Sequence, residues 1–93
     1  MSLWKVELTA TARRELRLPD EGPQRDATEL MQDLAGEGPF IVPSLQMRGL
    51  PDTWRARFHH DRYRMAYQVS RKRRHILVTR IRLRPTACEG MKD

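Results

Sequence analysis

Hydrophobic and polar residues alternate through much of the second half of the chain, with a period of two. The apolar positions of the four alternating segments are Leu45 and Met47; Trp54, Ala56 and Phe58; Tyr63, Met65, Tyr67 and Val69; and Leu77, Thr79, Ile81 and Leu83. This period is that of a β-strand, in which alternate side chains face opposite sides of a sheet. Because the connections are short, the pattern predicts three or four strands in an antiparallel meander.

The beginning of the chain combines a strand pattern with a helix pattern. One face of the predicted first strand carries Trp4, Val6 and Leu8. Thr9 or Thr11 can cap a following helix, because a threonine side chain accepts a hydrogen bond from an N–H of the first turn. This helix must end before Pro19, since the residue preceding a proline disfavours helical geometry.

A second helix is predicted to begin between Asp20 and Pro23 and to end at Gly36. Its apolar stripe has the spacing i, i+3, i+4, i+7 and consists of Ala27, Leu30, Met31 and Leu34. The segments together predict an α+β fold in a single domain over residues 1–93, with an antiparallel sheet packed on two N-terminal helices.

Arginines occupy most polar positions of the predicted strands, so the face turned away from the helices is expected to be open and basic. Arginines on this face are Arg48, Arg55, Arg57, Arg62, Arg64, Arg80, Arg82 and Arg84. Strand connectivity predicts that several of them meet at one rim with the turn after the strand 53–58. This rim comprises Arg57, Arg62, Arg64, Arg82, Arg84, His59 and His60.

Charge is divided unevenly between the two halves of the chain. Residues 1–46 carry 5 Lys/Arg against 8 Asp/Glu, whereas residues 47–93 carry 13 against 4, and the net charge is +6. Arginine prevails over lysine in the second half, and its planar fork of donors matches phosphate oxygens. We therefore expect nucleic acid as a partner, the alternative being a solvated basic face without a ligand.

Other chemistry is limited by what the sequence lacks. Cys88 is the only cysteine, which excludes an intramolecular disulfide and fits a reducing compartment. No apolar run approaches the roughly 18 residues of a membrane span, so a cytoplasmic protein with no membrane contact is expected. Because no metal-ligand spacing and no glycine-rich phosphate loop occur, neither a metal nor another cofactor is predicted.

The stretch LQMRGLPDTWRARFHHDRYRMAYQV resembles the central motif of the RelE/ParE toxin family. In that family a glycine–aspartate turn leads into a strand with alternating basic residues, followed by a Tyr-Arg-x-x-Tyr strand. The N-terminal pattern Trp-x-Val-x-Leu-Thr-x-x-Ala-x-x-x-Leu and the late arginine-rich strand are also similar. The resemblance extends in order over nearly the whole chain.

This resemblance implies a βααβββ fold and the toxin of a type II toxin–antitoxin system. In the RelE branch the toxin inhibits translation as a ribosome-dependent endoribonuclease, which cleaves mRNA in the A site by attack of a 2′-hydroxyl on the adjacent phosphate. The expected partners are a cognate antitoxin, in a hetero-oligomer, and mRNA on the 70S ribosome.

Carried over by position, the predicted catalytic residues are Arg55, Arg57, Arg64 and Arg82, with Arg84 as the alternative to Arg82 if a gap is allowed. Cys88 stands where the family has a tyrosine that stacks on a base, which puts the rate of cleavage in question. Additional nucleic-acid contacts are predicted for Arg48, Arg62, Arg80, Arg84 and the run Arg71, Lys72, Arg73 and Arg74. That run has the alternative interpretation of a solvated hairpin turn.

Guanidinium groups stay protonated, so an arginine cannot take the proton of the 2′-hydroxyl. Because histidine titrates near neutrality, His59 and His60 are the candidate bases; otherwise they are polar turn residues. Two other functions remain open: a gyrase inhibitor of the ParE branch, and a catalytically silent RNA- or ribosome-binding module on the same fold.

Overall fold

The computed structural model describes residues 3–40, 44–47, 49 and 52–83. The elements follow one another as β1 (Lys5–Leu8), α1 (Ala10–Leu16), α2 (Glu21–Glu37), β2 (Ser44–Gln46), β3 (Thr53–Phe58), β4 (Tyr63–Ser70) and β5 (His75–Leu83). Thr9 caps α1 by accepting the Ala12 N–H, as its sequence position predicts. No helix in the described ranges is both long and apolar enough to cross a bilayer.

The strands form one sheet with the order β1-β5-β4-β3-β2. Strands β2 to β5 are antiparallel neighbours, which confirms the predicted meander. Strand β1 adds to β5 in parallel, so that the sheet is mixed. The α+β class, the two N-terminal helices and strand β1 are as predicted. The parallel pairing of β1 with β5 was not predicted, because periodicity within a strand carries no information about its partner.

One face of the sheet packs on the helices and forms the core. Ala12 of α1 and Ala27, Leu30 and Leu34 of α2 are buried there, and from the strands so are Ala56, Phe58, Met65, Tyr67, Val69, Ile76, Val78 and Ile81. The Tyr67 hydroxyl, fully buried, donates to the Pro39 carbonyl at 3.1 Å and so satisfies its polar atom. The arginines are therefore left on the other face.

A bulge at Thr79 changes the alternation of β5. Tyr67 is paired with Val78 and the preceding Ala66 with Arg80, so that Thr79 has no opposite residue. As a result Ile76, Val78 and Ile81 are buried. The sequence analysis had instead placed Leu77 and Thr79 on the apolar face; this was wrong because an inserted residue reverses the parity of the strand preceding it.

Candidate nucleic-acid interface

Three arginines stand side by side on the open face, one from each of three neighbouring strands. In the strand register Arg57 of β3 lies opposite Arg64 of β4, and Arg64 lies opposite Arg82 of β5. Side chains directly opposite one another have Cβ atoms about 4.5–5.5 Å apart, and like charges in such positions repel each other. An anion bound between them would relieve this repulsion, so the arginine row (Arg57, Arg64 and Arg82) favours a phosphate ligand.

The next row of the same face has a small residue at its centre. Arg55 lies opposite Ala66, which lies opposite Arg80. The methyl group of Ala66 forms part of the floor of a groove of about 370 Å³. The groove is lined by Met47, Arg55, Arg64, Ala66, Arg80, Arg82 and Leu83. Its volume lies within the range of roughly 300–1,000 Å³ typical of small-molecule sites, so that it can accept a group of nucleotide size.

Arg80 differs from the other arginines of this face because it is bound to an acidic residue of α1. Its Nε and Nη2 donate to both carboxylate oxygens of Glu15 at 3.0–3.2 Å, and Glu15 Oε1 also accepts the Ile81 N–H at 2.9 Å. Within the part of the chain that the structure describes, Arg55, Arg57 and Arg82 have no ion pair. Positive charge without an ion-pair partner in the described ranges is therefore found on Arg55, Arg57 and Arg82.

The ionisation of the Glu15–Arg80 pair follows from these contacts. Burial by itself raises the pKa of the Glu15 carboxyl, but the hydrogen bonds from Arg80 and from the Ile81 N–H outweigh it, together with the charges of Arg80 and Arg82, and the pKa is lowered overall. The carboxylate in turn raises the pKa of Arg80. Glu15 is thus held ionised, which makes it a fixed counter-charge and a poor proton acceptor.

The predicted rim is only partly assembled. Arg57, Arg64 and Arg82 do converge, but the structure does not bring His59 to them. Its Nδ1 lies 2.7 Å from Asp26 Oδ2 of α2, and its ring contacts Tyr63 edge-on at 6.0 Å, on the helix side of the sheet. The exposed His60 ring lies 5.1 Å from that of His59. His59 is thus bound to α2, and the contact described for His60 is with the ring of His59.

The backbone of the turn explains this displacement. His59, His60 and Asp61 all have positive φ angles, of 53°, 58° and 63°. The expectation that adjacent side chains point to opposite sides holds only for extended backbone. Three left-handed residues in succession instead curl the turn towards α2, where Asp26 binds His59.

The remaining predicted contact residues have different positions. Arg62 is exposed in the turn before β4, next to the arginine row. The turn 71–74 lies at the opposite end of the sheet, between β4 and β5. Arg48, Arg84 and Cys88 lie outside the described residues, so their predicted roles stay predictions.

Two residues of this site were missed by the sequence analysis. Ala66 occupies a polar-face position among arginines, and an interruption of that kind could have indicated the floor of a groove. Glu15 gives no such signal, because its contact with Arg80 joins residues 65 positions apart in the chain.

Neither a protein-family model nor a curated protein sequence matches the chain. Solved structures do. A chain of the RelB–RelE toxin–antitoxin complex from Mycobacterium tuberculosis is 26% identical with a TM-score of 0.75, and the match covers 87% of this chain and 98% of that one. The archaeal RelE–RelB complex from Pyrococcus horikoshii is 20% identical with a TM-score of 0.72, covering 94% and 100%.

The isolated RelE toxin of E. coli has a TM-score of 0.72 at 20% identity, over 96% of this chain and 94% of that chain. The matches therefore include the whole order of helices and strands described above, and they confirm the resemblance seen in the sequence. The chain is thus similar in fold to the RelE toxins, in agreement with the resemblance to the RelE/ParE family seen in its sequence.

Proposed function

We propose that the chain is the toxin of a type II toxin–antitoxin system and that it cleaves mRNA in the A site of the ribosome. The observation that supports this most directly is the arginine row, in which three guanidinium groups share one strand register on an open face. The alternative of a gyrase inhibitor does not account for such a row, because a target bound through protein contacts has no need of clustered phosphate ligands.

In the proposed reaction the 2′-hydroxyl of one nucleotide attacks the adjacent phosphorus, and the bond to the 5′-oxygen of the next nucleotide breaks. The products are a 2′,3′-cyclic phosphate and a free 5′-hydroxyl. Negative charge grows on the non-bridging oxygens as the phosphorane forms. Arg64, at the centre of the row, and Arg57 and Arg82 on either side can donate to these oxygens in a fixed geometry.

Each donor of this kind contributes about 2.7–4 kcal/mol to lowering a barrier in comparable sites. The groove floor at Ala66 would hold the nucleotide next to the cleaved bond, and Arg55 would bind its phosphate. His59 is bound to Asp26, and Glu15 is bound to Arg80 and to the Ile81 N–H, so neither is assigned the role of a base at the row. Positioning and charge stabilisation are therefore what this face contributes to the rate.

We further propose that an antitoxin protein neutralises the toxin in the cytoplasm. Two of the similar solved structures are toxin–antitoxin complexes of RelE with RelB. A surface that binds the arginine row should be acidic, because opposite charges provide both attraction and selection of the partner.

Primer extension on an mRNA translated in a purified system tests the proposal. We expect new 5′ ends at A-site codons when the protein and ribosomes are both present, and none when ribosomes are omitted. The Arg64→Ala variant, purified identically, controls for contaminating nuclease. Unaffected translation without new ends would contradict the proposal, and blocked translation without cleavage would leave only ribosome binding.

A further inference from the structure

An aromatic–cation patch lies at the end of the sheet remote from the arginine row and consists of Phe40, Trp54 and Arg71. The guanidinium carbon of Arg71 is 4.7 Å from the centroid of the Phe40 ring. Phe40 in turn contacts Trp54 edge-on, with centroids 5.3 Å apart. Trp54 is half-buried, whereas Phe40 is 46% exposed and Arg71 is exposed. A large aromatic ring and a guanidinium are thus held together at the surface.

The patch borders a dense group of cations. Arg71, Lys72, Arg73 and Arg74 form the turn between β4 and β5, and all of them are exposed. The turn is closed by a hydrogen bond from the Arg74 N–H to the Arg71 carbonyl at 3.4 Å. Within the described ranges no ion pair includes any of these side chains. Their charge is therefore available to a ligand in solution.

We propose that this patch is a second RNA subsite, in which an unpaired nucleobase stacks on the guanidinium of Arg71 while the cations of the turn bind the flanking phosphates. Guanidinium planes and aromatic rings are the groups on which splayed-out bases stack in RNA complexes. The cation–π contact with Phe40 already holds the Arg71 side chain in place before a base binds. Binding of the base therefore costs less side-chain conformational entropy. The choice of RNA as the ligand rests on the function proposed above.

The subsite is too far from the arginine row for one nucleotide to contact both. Arg71 begins the turn that follows β4 and lies seven positions after Arg64, a backbone separation of at most about 23 Å at the usual rise of a strand. The two sites would therefore bind different parts of the RNA. The patch should determine affinity and leave the chemical step, once the RNA is bound, unchanged.

An acidic protein could also be attracted by the turn, but it would use the charges alone. The exposed Phe40–Arg71 pair is what favours RNA, because stacking on a base requires a planar group and charge attraction does not. The property to measure is therefore the dependence of the binding affinity on the presence of nucleobases in the RNA.

The experiment compares two fluorescent RNA 12-mers of equal charge, oligo(A) and an oligomer with abasic residues throughout, in equilibrium binding to the full chain. We expect oligo(A) to bind more tightly by about fivefold to a hundredfold, the worth of stacking one base. Arg71→Lys, which keeps the charge, and Phe40→Leu should each remove most of this preference. Arg73→Ala should weaken both oligomers equally and lower the salt dependence by about one phosphate contact.

All variants are also tested in the Arg64→Ala background. The preference for oligo(A) should persist there, because the patch that produces it does not include the arginine row. Binding is read without cleavage, so a failure of the proposed endonuclease activity would not obscure the result. Equal binding of the two oligomers by the unmodified chain would overturn the proposal, and so would an unchanged preference in both Arg71→Lys and Phe40→Leu. Either result would show that the turn contributes charge alone, and would favour an acidic protein as its partner.

Discussion

Arg82 and Arg80 are two residues apart on the same face of β5, yet their surroundings differ. Arg80 is bound through two nitrogens to Glu15 of α1. Arg82 belongs to the row with Arg64 and Arg57 and has no ion pair among the described residues. Position on a sheet face therefore does not by itself make an arginine part of a ligand site. What distinguishes the two is whether the protein supplies its own counter-charge.

Removing the centre of the row should have the largest effect. Arg64→Ala is expected to lower the single-turnover rate of mRNA cleavage by about 10²–10³, the loss measured when one transition-state donor is removed. Arg80→Ala removes the same charge from the neighbouring row and should cost less than about tenfold, because that charge is already bound by Glu15. Quenched-flow cleavage at saturating ribosomes measures both. Equal losses would mean that Arg80 belongs to the site.

Filling the floor of the groove tests the same comparison without altering any charge. Ala66→Leu places a larger side chain among Arg55, Arg64 and Arg80, displacing the substrate from the row. Because a displacement of about 1 Å can reduce a rate on the order of a hundredfold, a comparable loss is expected. Ala10→Leu, at an exposed position of α1, is the matched control. Unchanged cleavage in Ala66→Leu would place the substrate elsewhere.

The Glu15–Arg80 contact should appear in stability more than in activity. Glu15→Ala leaves the Ile81 N–H and the guanidinium without their acceptor, and the free energy of unfolding should fall by about 1–3 kcal/mol. Glu29→Ala removes an exposed carboxylate from α2 and should cost little. Urea unfolding at neutral pH compares the two. A Glu15→Ala protein as stable as the Glu29→Ala protein would contradict the structural role assigned to Glu15.

The smallest expected effect is the pH dependence of the contribution that Glu15 makes to the free energy of unfolding. Since the folded state lowers the pKa of Glu15 from its ordinary value of 4.5, the stabilisation is fully present above that value and is lost as the pH falls through the folded pKa. The difference in unfolding free energy between the unmodified chain and Glu15→Gln should therefore shrink from pH 7 to pH 3. A difference that stays constant over this range would exclude ionisation as its cause.

The sequence predicted most of the fold and the common register of Arg57, Arg64 and Arg82. Period-two alternation is a local property, and it placed Arg57 and Arg64 on the open face correctly. The bulge at Thr79 and the parallel pairing of β1 depend on contacts between distant segments, which periodicity does not record. The position of His59 depends on three successive positive φ angles. Histidine and aspartate are enriched at positive φ, but this preference does not determine that three such residues occur in succession or where the turn then points.

The Glu15 carboxylate also has a consequence for association between copies of the chain. Strand β1 pairs with β5 only from His75 to Val78, so the remainder of β5 would expose unpaired backbone groups of the kind to which strands of other molecules add. Glu15 accepts the Ile81 N–H there, and Thr9 donates from its hydroxyl to the Thr79 carbonyl. The N-cap residue Thr9 and Glu15 of helix α1 thus cover with their side chains what would otherwise be a template for aggregation.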